Sequence, residues 1–78
     1  MEYKAVESSQ IESVGYDAET ETLGIRFRAT KKNPVTEYNY ANVKPDLHAG
    51  LVGAVSVGKF FTEHIKQFPV AYPYTKVS

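Results

Sequence analysis

The chain has 78 residues, of which 42% are hydrophobic and 23% are charged, values typical of a folded globular domain. Because chains divide into several cores only at several times this length, we expect a single domain over residues 1–78, and a large multistep enzyme is excluded. The nine Lys and Arg residues balance nine Asp and Glu residues. The overall basic charge that makes nucleic acid the default partner is therefore missing.

Composition also limits the kinds of site and the location of the protein. The chain has no cysteine, which excludes disulfides, thiolate nucleophiles and cysteine-ligated zinc. A reducing cytoplasm is the expected location. No apolar run approaches the roughly 18 residues that would span a bilayer, and the first ten residues lack the pattern of a signal peptide. We therefore expect no membrane association.

The first part of the chain predicts strands. An apolar segment from Ile11 to Tyr16 is followed by polar, turn-forming residues at 17–22. From Leu23 to Ala29, apolar and polar residues alternate, which is typical of a strand with one buried face. The loop Thr30–Pro34 then leads to a third strand from Val35 to Val43. These segments predict a three-stranded antiparallel meander.

The second part predicts two helices and a tail. Pro45 suits a first helical turn, and Ser56 suits the N-cap of a second helix that ends before Pro69. The apolar positions at helical spacing are Leu47, Leu51 and Val55 in the first helix and Val57, Phe61, Ile65 and Phe68 in the second. Residues 70–78 contain Pro73 and are expected to be extended. The predicted fold class is α+β, with both helices packed on one face of the meander.

An ordered set of residues along nearly the whole chain resembles the KTSC domain family. The set comprises Val6, Ser8, Ser9, Ile11, residues 14–17, Leu23, Phe27, residues 38–40, Val43, Pro45, Ser56, Gly58, Phe60, Phe61, Ile65 and residues 72–74. The family is named for a C-terminal domain of some lysyl-tRNA synthetases and also includes stand-alone bacterial and phage proteins. This company implies RNA as the first ligand to consider.

Two tyrosines of the third strand are candidate ligand-binding residues. Tyr38 and Tyr40 lie two residues apart and therefore share one face of the strand. On a solvent-facing side their rings would stack on unpaired bases. That orientation would turn Glu37 toward the helices and bury a charge, so we favour the orientation in which the tyrosines face the core. Arg26 would then lie on the open face, within reach of Glu37.

Basic residues supply the other candidate positions. Residues 25–44 carry a net charge of +4, whereas residues 1–24 carry −5. Candidate phosphate contacts in this basic segment are Arg26, Arg28, Lys31 and Lys32. A second patch combines Lys59 with His64, which lies one helical turn after Phe60. Solvated surface is the alternative explanation for both groups.

The spacing of polar residues gives no support to catalysis. Ser8 and Ser9 do not lie in a GxSxG motif, and the two histidines, His48 and His64, have no metal-binding spacing. We therefore expect a small non-enzymatic binding domain without a metal or cofactor, and RNA is its first expected partner. The alternative is a stand-alone protein, phage-encoded or not, that binds a host protein or sequesters a small nucleotide-like ligand.

Overall fold

The computed structural model describes residues 1–77 and shows one antiparallel sheet covered on one face by helices. The strands are β1 (Glu2–Ala5), β2 (Ile11–Asp17), β3 (Thr22–Phe27), β4 (Thr36–Tyr40) and β5 (Tyr74–Lys76), and they adjoin in that order. Helices α1 (Pro45–Val52) and α2 (Val57–Phe61) lie between β4 and β5, and a π-helical turn (Thr62–Lys66) continues α2. The α+β class is confirmed.

The sheet has five strands, so the predicted number of three is wrong. The additional strands are the two edges, β1 paired with β2 and β5 paired with β4. All but one of their residues are exposed, so neither strand carries the alternation of buried and polar residues that identifies a half-buried strand. The predicted extended tail is thus partly an edge strand, and its last residue, Ser78, lies outside the described residues.

The core forms between the helix-facing side of the sheet and the two helices. Leu23 and Ile25 are fully buried there, as their alternation with polar residues predicts. Fully buried helix residues complete this core, namely Leu51, Phe61 and Ile65. Phe27 is only partly buried and meets Phe61 edge to face, with ring centroids 5.7 Å apart. The two apolar patterns therefore share one core, as expected.

The helices differ from prediction at their ends. Ser56 caps α2 as expected, because its Oγ accepts a 3.3 Å hydrogen bond from the Lys59 amide. Helix α1 ends at Val52, so Val55 lies in the connection and is fully exposed. Helical structure after α2 ends with the π-helical turn at Lys66, and Phe68 is 50% exposed. The burial expected for Val55 and Phe68 is wrong for this reason.

Candidate functional site

An aromatic cavity of about 480 Å³ opens where β3, β4 and β5 pass beneath the π-helical turn. Its lining consists of four aromatic residues and three others: Phe27, Tyr38, Tyr40 and Tyr74, together with Thr36, Lys66 and Pro69. Cavities of about 300 to 1,000 Å³ with mainly apolar walls and few polar groups are the usual form of small-molecule sites. We call this the aromatic cavity below.

Strand register explains why the tyrosines meet in this place. Tyr40 pairs with Leu23 of β3 on one side and with Tyr74 of β5 on the other. Directly paired residues of antiparallel strands project to the same face, so all three side chains point toward the helices. The Tyr74 ring lies 5.7 Å from that of Tyr38 and 5.8 Å from that of Tyr40. The expected core-facing orientation of Tyr38 and Tyr40 is confirmed.

Tyr40 is the buried member of this group. It is 5% exposed, and its ring packs edge to face on Phe61. Burial, together with the nearby phenols of Tyr38 and Tyr74, raises the pKa of Tyr40 to about 12. The phenol is therefore protonated at neutral pH and able to donate a hydrogen bond. No protein partner for its hydroxyl occurs among residues 1–77.

Two lysines place positive charge near the aromatic rings. Lys66, in the π-helical turn, belongs to the cavity lining. Lys76 pairs with Tyr38 across β4 and β5 and so projects from the same face of the sheet. Both side chains are exposed. The cavity thus combines stacking surfaces with the ammonium of Lys66, and Lys76 lies outside its lining on the same face of the sheet.

The structure gives Arg26 intramolecular partners on the opposite face of the sheet. Its Nε donates a 2.7 Å hydrogen bond to Oε1 of Glu37, which is the cross-strand pair expected from the sequence. Its guanidinium also lies 3.7 Å from the centre of the Tyr3 ring, within cation–π range. Arg26 therefore lies on the opposite face of the sheet from Tyr38 and Tyr40.

Arg28, Lys31 and Lys32 lie in the connection that follows β3. Arg28 donates hydrogen bonds to the carbonyl oxygens of Ser8 (2.6 Å) and Val6 (3.4 Å), which ties the β1–β2 connection to β3. Lys31 and Lys32 are exposed in a turn closed by a 2.7 Å hydrogen bond from the Thr30 amide to the Asn33 carbonyl. Two of the four basic candidates, both arginines, thus already contact protein groups.

Lys59 and His64 lie on the outer surface of the second helical segment. The ring of His64 packs against that of Phe60 with centroids 4.3 Å apart, as the helical spacing predicted. Both candidates line a separate cavity of about 340 Å³ that also includes Val55 and Glu63. The eight predicted positions are therefore distributed over several surfaces, and only Tyr38 and Tyr40 line the aromatic cavity.

Sequence reasoning missed Phe27, Lys66 and Tyr74 as parts of this cavity. The alternation of Tyr72 and Tyr74 around Pro73 is visible in the sequence, but the pairing of the tail with β4 is not. Within residues 1–77, His, Asp and Glu side chains form no group of three suited to a metal ion. No helix in the described part of the chain is both long and apolar enough to cross a membrane.

Comparisons with known proteins agree on one family. The model of the KTSC domain family matches residues 7–68. A protein from Stutzerimonas stutzeri strain A1501, described as uncharacterized, is 31% identical over 77 residues, which is 99% of each chain. The crystal structure of a KTSC domain protein from Yersinia pestis has a TM-score of 0.83 and 32% identity, and the match covers 99% of this chain and 97% of that one.

Proposed function

The chain belongs to the KTSC domain family, and we propose that it is a small non-enzymatic module that binds an unpaired nucleotide of RNA in the aromatic cavity. The observation that carries this proposal is the convergence of Tyr38, Tyr40 and Tyr74 on one open cavity with Lys66 in its lining. The proposal includes a bacterial or phage protein in the cytoplasm, where single-stranded RNA is an available ligand.

Stacking is the main interaction that the cavity offers. Tyr74 is 57% exposed and Tyr38 is half-buried, so both rings have surface that a base can cover. Stacking of a base on an aromatic side chain contributes about 1 to 3 kcal/mol and tolerates any base. Affinity of this origin favours unpaired nucleotides, because a base inside a duplex has no free face.

Polar groups in the same lining complement a nucleotide. The protonated phenol of Tyr40 and the hydroxyl of Thr36 are hydrogen-bonding groups for a base edge or a ribose. The ammonium of Lys66 suits a phosphate as a point charge. Among the described residues Lys66 is the one cation in the cavity lining, so we expect phosphate contacts to contribute less to affinity than stacking does.

The side chains considered for catalysis have structural contacts instead. The Ser8 hydroxyl accepts hydrogen bonds from the amides of Gln10 (3.2 Å) and Ile11 (3.1 Å), as expected for a turn serine. His64 stacks on Phe60. These contacts give Ser8 and His64 structural roles.

The same nucleotide chemistry occurs in RNA and in free nucleotides. Fluorescence anisotropy of labelled single-stranded RNA, with duplex RNA and unlabelled mononucleotides as competitors, separates the two sources. We expect single-stranded RNA to bind more tightly than duplex, and more tightly than any mononucleotide. Stronger binding of a mononucleotide would identify the protein as a nucleotide-sequestering protein with the same site.

Matched variants locate the binding to the cavity. Tyr74→Ala removes an exposed stacking ring and should weaken RNA binding by about tenfold or more. Phe68→Ala removes a ring of similar exposure outside the cavity and is the control that should leave RNA binding unchanged. Lys66→Gln should reduce the slope of log affinity against log salt by about 0.7, and Lys59→Gln should not.

Failure of this experiment has a defined meaning. No association with RNA or mononucleotides at low ionic strength would contradict the proposal. The alternative would then be a host protein, and Val55 (107%), Phe68 (50%) and Val70 (94%) are exposed apolar residues to test by substitution in that case.

A further inference from the structure

The outer edge of β1 carries unpaired backbone groups in a defined pattern. The Val6 amide donates a 3.2 Å hydrogen bond to the Glu12 carbonyl of β2. Hydrogen-bonding direction alternates along a strand, so the N–H and C=O groups of Lys4 and Glu2 also point toward β2. Those of Tyr3 and Ala5 point outward, away from the sheet.

The side chains of β1 alternate in a way that is self-complementary. Glu2 and Lys4 are exposed and project to the helix side, and Tyr3 between them lies on the opposite side beneath Arg26. If two β1 strands pair antiparallel about a twofold axis at Tyr3, Glu2 lies opposite Lys4 of the partner subunit. The symmetry creates this opposite-charge pair twice.

Backbone parity and charge together select this register. Only outward-facing groups can bond across the new contact, so a symmetric pair is centred on a residue of β1. A centre at Ala5 sets residues 2–4 opposite residues 6–8, which follow the end of β1. A centre at Glu2 or at Lys4 places like charges directly opposite each other, which is destabilising. With the centre at Tyr3, Glu2 and Lys4 occupy non-hydrogen-bonded positions, where opposed side chains are closest.

We propose that two copies of this chain associate through antiparallel pairing of their β1 strands, centred on Tyr3, into one continuous ten-stranded sheet. The contact is isologous and closes on itself, so assembly stops at the dimer. It involves the sheet edge opposite to β5 and leaves the aromatic cavity open. The proposal is therefore independent of nucleotide binding. Four-residue strands bury far less than the roughly 1,200 Å² of a stable complex, so we expect a weak dimer that dissociates on dilution.

Charge reversal tests this register specifically. Sedimentation velocity over a dilution series should show a monomer–dimer equilibrium for the wild type. Glu2→Lys and Lys4→Glu each oppose like charges twice and should weaken dimerisation by about tenfold or more. An equimolar mixture of the two variants restores both opposite-charge pairs and should dimerise at least as well as the wild type. The double variant Glu2→Lys/Lys4→Glu should also dimerise.

The control variant lies on β5, at the opposite edge of the sheet from β1. Lys76→Glu makes the same charge change on β5 and should leave dimerisation unchanged. A wild type that remains monomeric at millimolar concentration would overturn the proposal, as would single variants that dimerise like the wild type. Assemblies that grow beyond two copies and are lost in Lys76→Glu would overturn it in favour of head-to-tail pairing between β1 and β5.

Discussion

Glu37 accepts a 2.7 Å hydrogen bond from Arg26 on the face of the sheet that the helices leave uncovered. The two residues are directly paired in β4 and β3, and the side chains are 20% and 40% exposed respectively. The Tyr3 ring covers the same guanidinium. This arrangement gives Arg26 a role in joining strands and explains why a positive residue lies in the middle of the sheet.

We expect Arg26→Ala and Glu37→Ala each to lower the melting temperature by a few degrees, and the double variant to lose less than the sum. A double-mutant cycle measured by thermal unfolding gives this coupling. RNA affinity should be unchanged in Arg26→Ala. Strictly additive losses would show that the ion pair contributes nothing to stability. A selective loss of RNA binding in Arg26→Ala would show that Arg26 contacts phosphate.

Phe61 tests the packing of the helices on the sheet. It is 1% exposed and contacts the rings of Phe27 and Tyr40. Phe61→Ala should cost about 3 to 5 kcal/mol of unfolding free energy, a large fraction of the total for a small domain. Phe68→Ala, which truncates a half-exposed ring, should stay within about 1 kcal/mol in the same urea titration. Similar losses in both variants would contradict the described core.

We expect the protein to lose stability at alkaline pH, where the Tyr40 phenol loses its proton. Because its pKa rises from 10.0 to about 12 on folding, the folded state holds the proton more tightly than the unfolded state. Its contribution is complete below pH 10 and should disappear as the pH rises toward about 12. Tyr40→Phe should flatten this part of the stability profile.

The stability of Tyr40→Phe at neutral pH tests whether the Tyr40 hydroxyl has a hydrogen-bond partner within the protein. That group lacks a protein partner among residues 1–77, so Tyr40→Phe should remain within about 0.5 kcal/mol of the wild type at pH 7. Weaker RNA binding in the same variant would assign the hydroxyl to the ligand. A large loss of stability would instead indicate an intramolecular hydrogen bond.

We expect His48 to lower the stability of the protein as the pH falls, whereas Tyr40 lowers it as the pH rises. Its ring stacks on Tyr16 with centroids 4.3 Å apart and planes 7° apart. Burial, and secondarily the charge of Lys4, lowers the pKa of His48 below 6.5, so the unfolded state binds the proton more tightly. Stability should therefore fall as the pH drops below 6.5. His48→Phe keeps a ring on Tyr16 and should reduce this acid-side loss, and an unchanged profile would contradict the assignment.

The sequence predicted the parts of the fold in which burial leaves a periodic pattern. Leu23 and Ile25 alternate with polar residues, and Phe61 and Ile65 follow at helical spacing, so the sheet centre and second helix were foreseeable. The edge strands have no buried face and gave no such pattern. Their pairing depends on backbone groups that β2 and β4 leave free.

The same reason limited prediction of the candidate site. Tyr38 and Tyr40 were identifiable because they share one face of a predicted strand. Tyr74 joins them only through the pairing of β5 with β4, and Lys66 through the π-helical turn. Local propensity does not report either relationship, because both depend on contacts between distant parts of the chain.

The most direct test of nucleotide binding is a residue-by-residue NMR titration of the labelled protein with a short single-stranded RNA at low ionic strength. We predict that the largest changes occur in the ring signals of Tyr38, Tyr40 and Tyr74 and in the side chain of Lys66, which together line the aromatic cavity. The amides of Lys31 and Lys32 should change little. Changes centred on Lys31 and Lys32, or on Lys59 and His64, with the tyrosine rings unaffected, would contradict the aromatic cavity as the binding site.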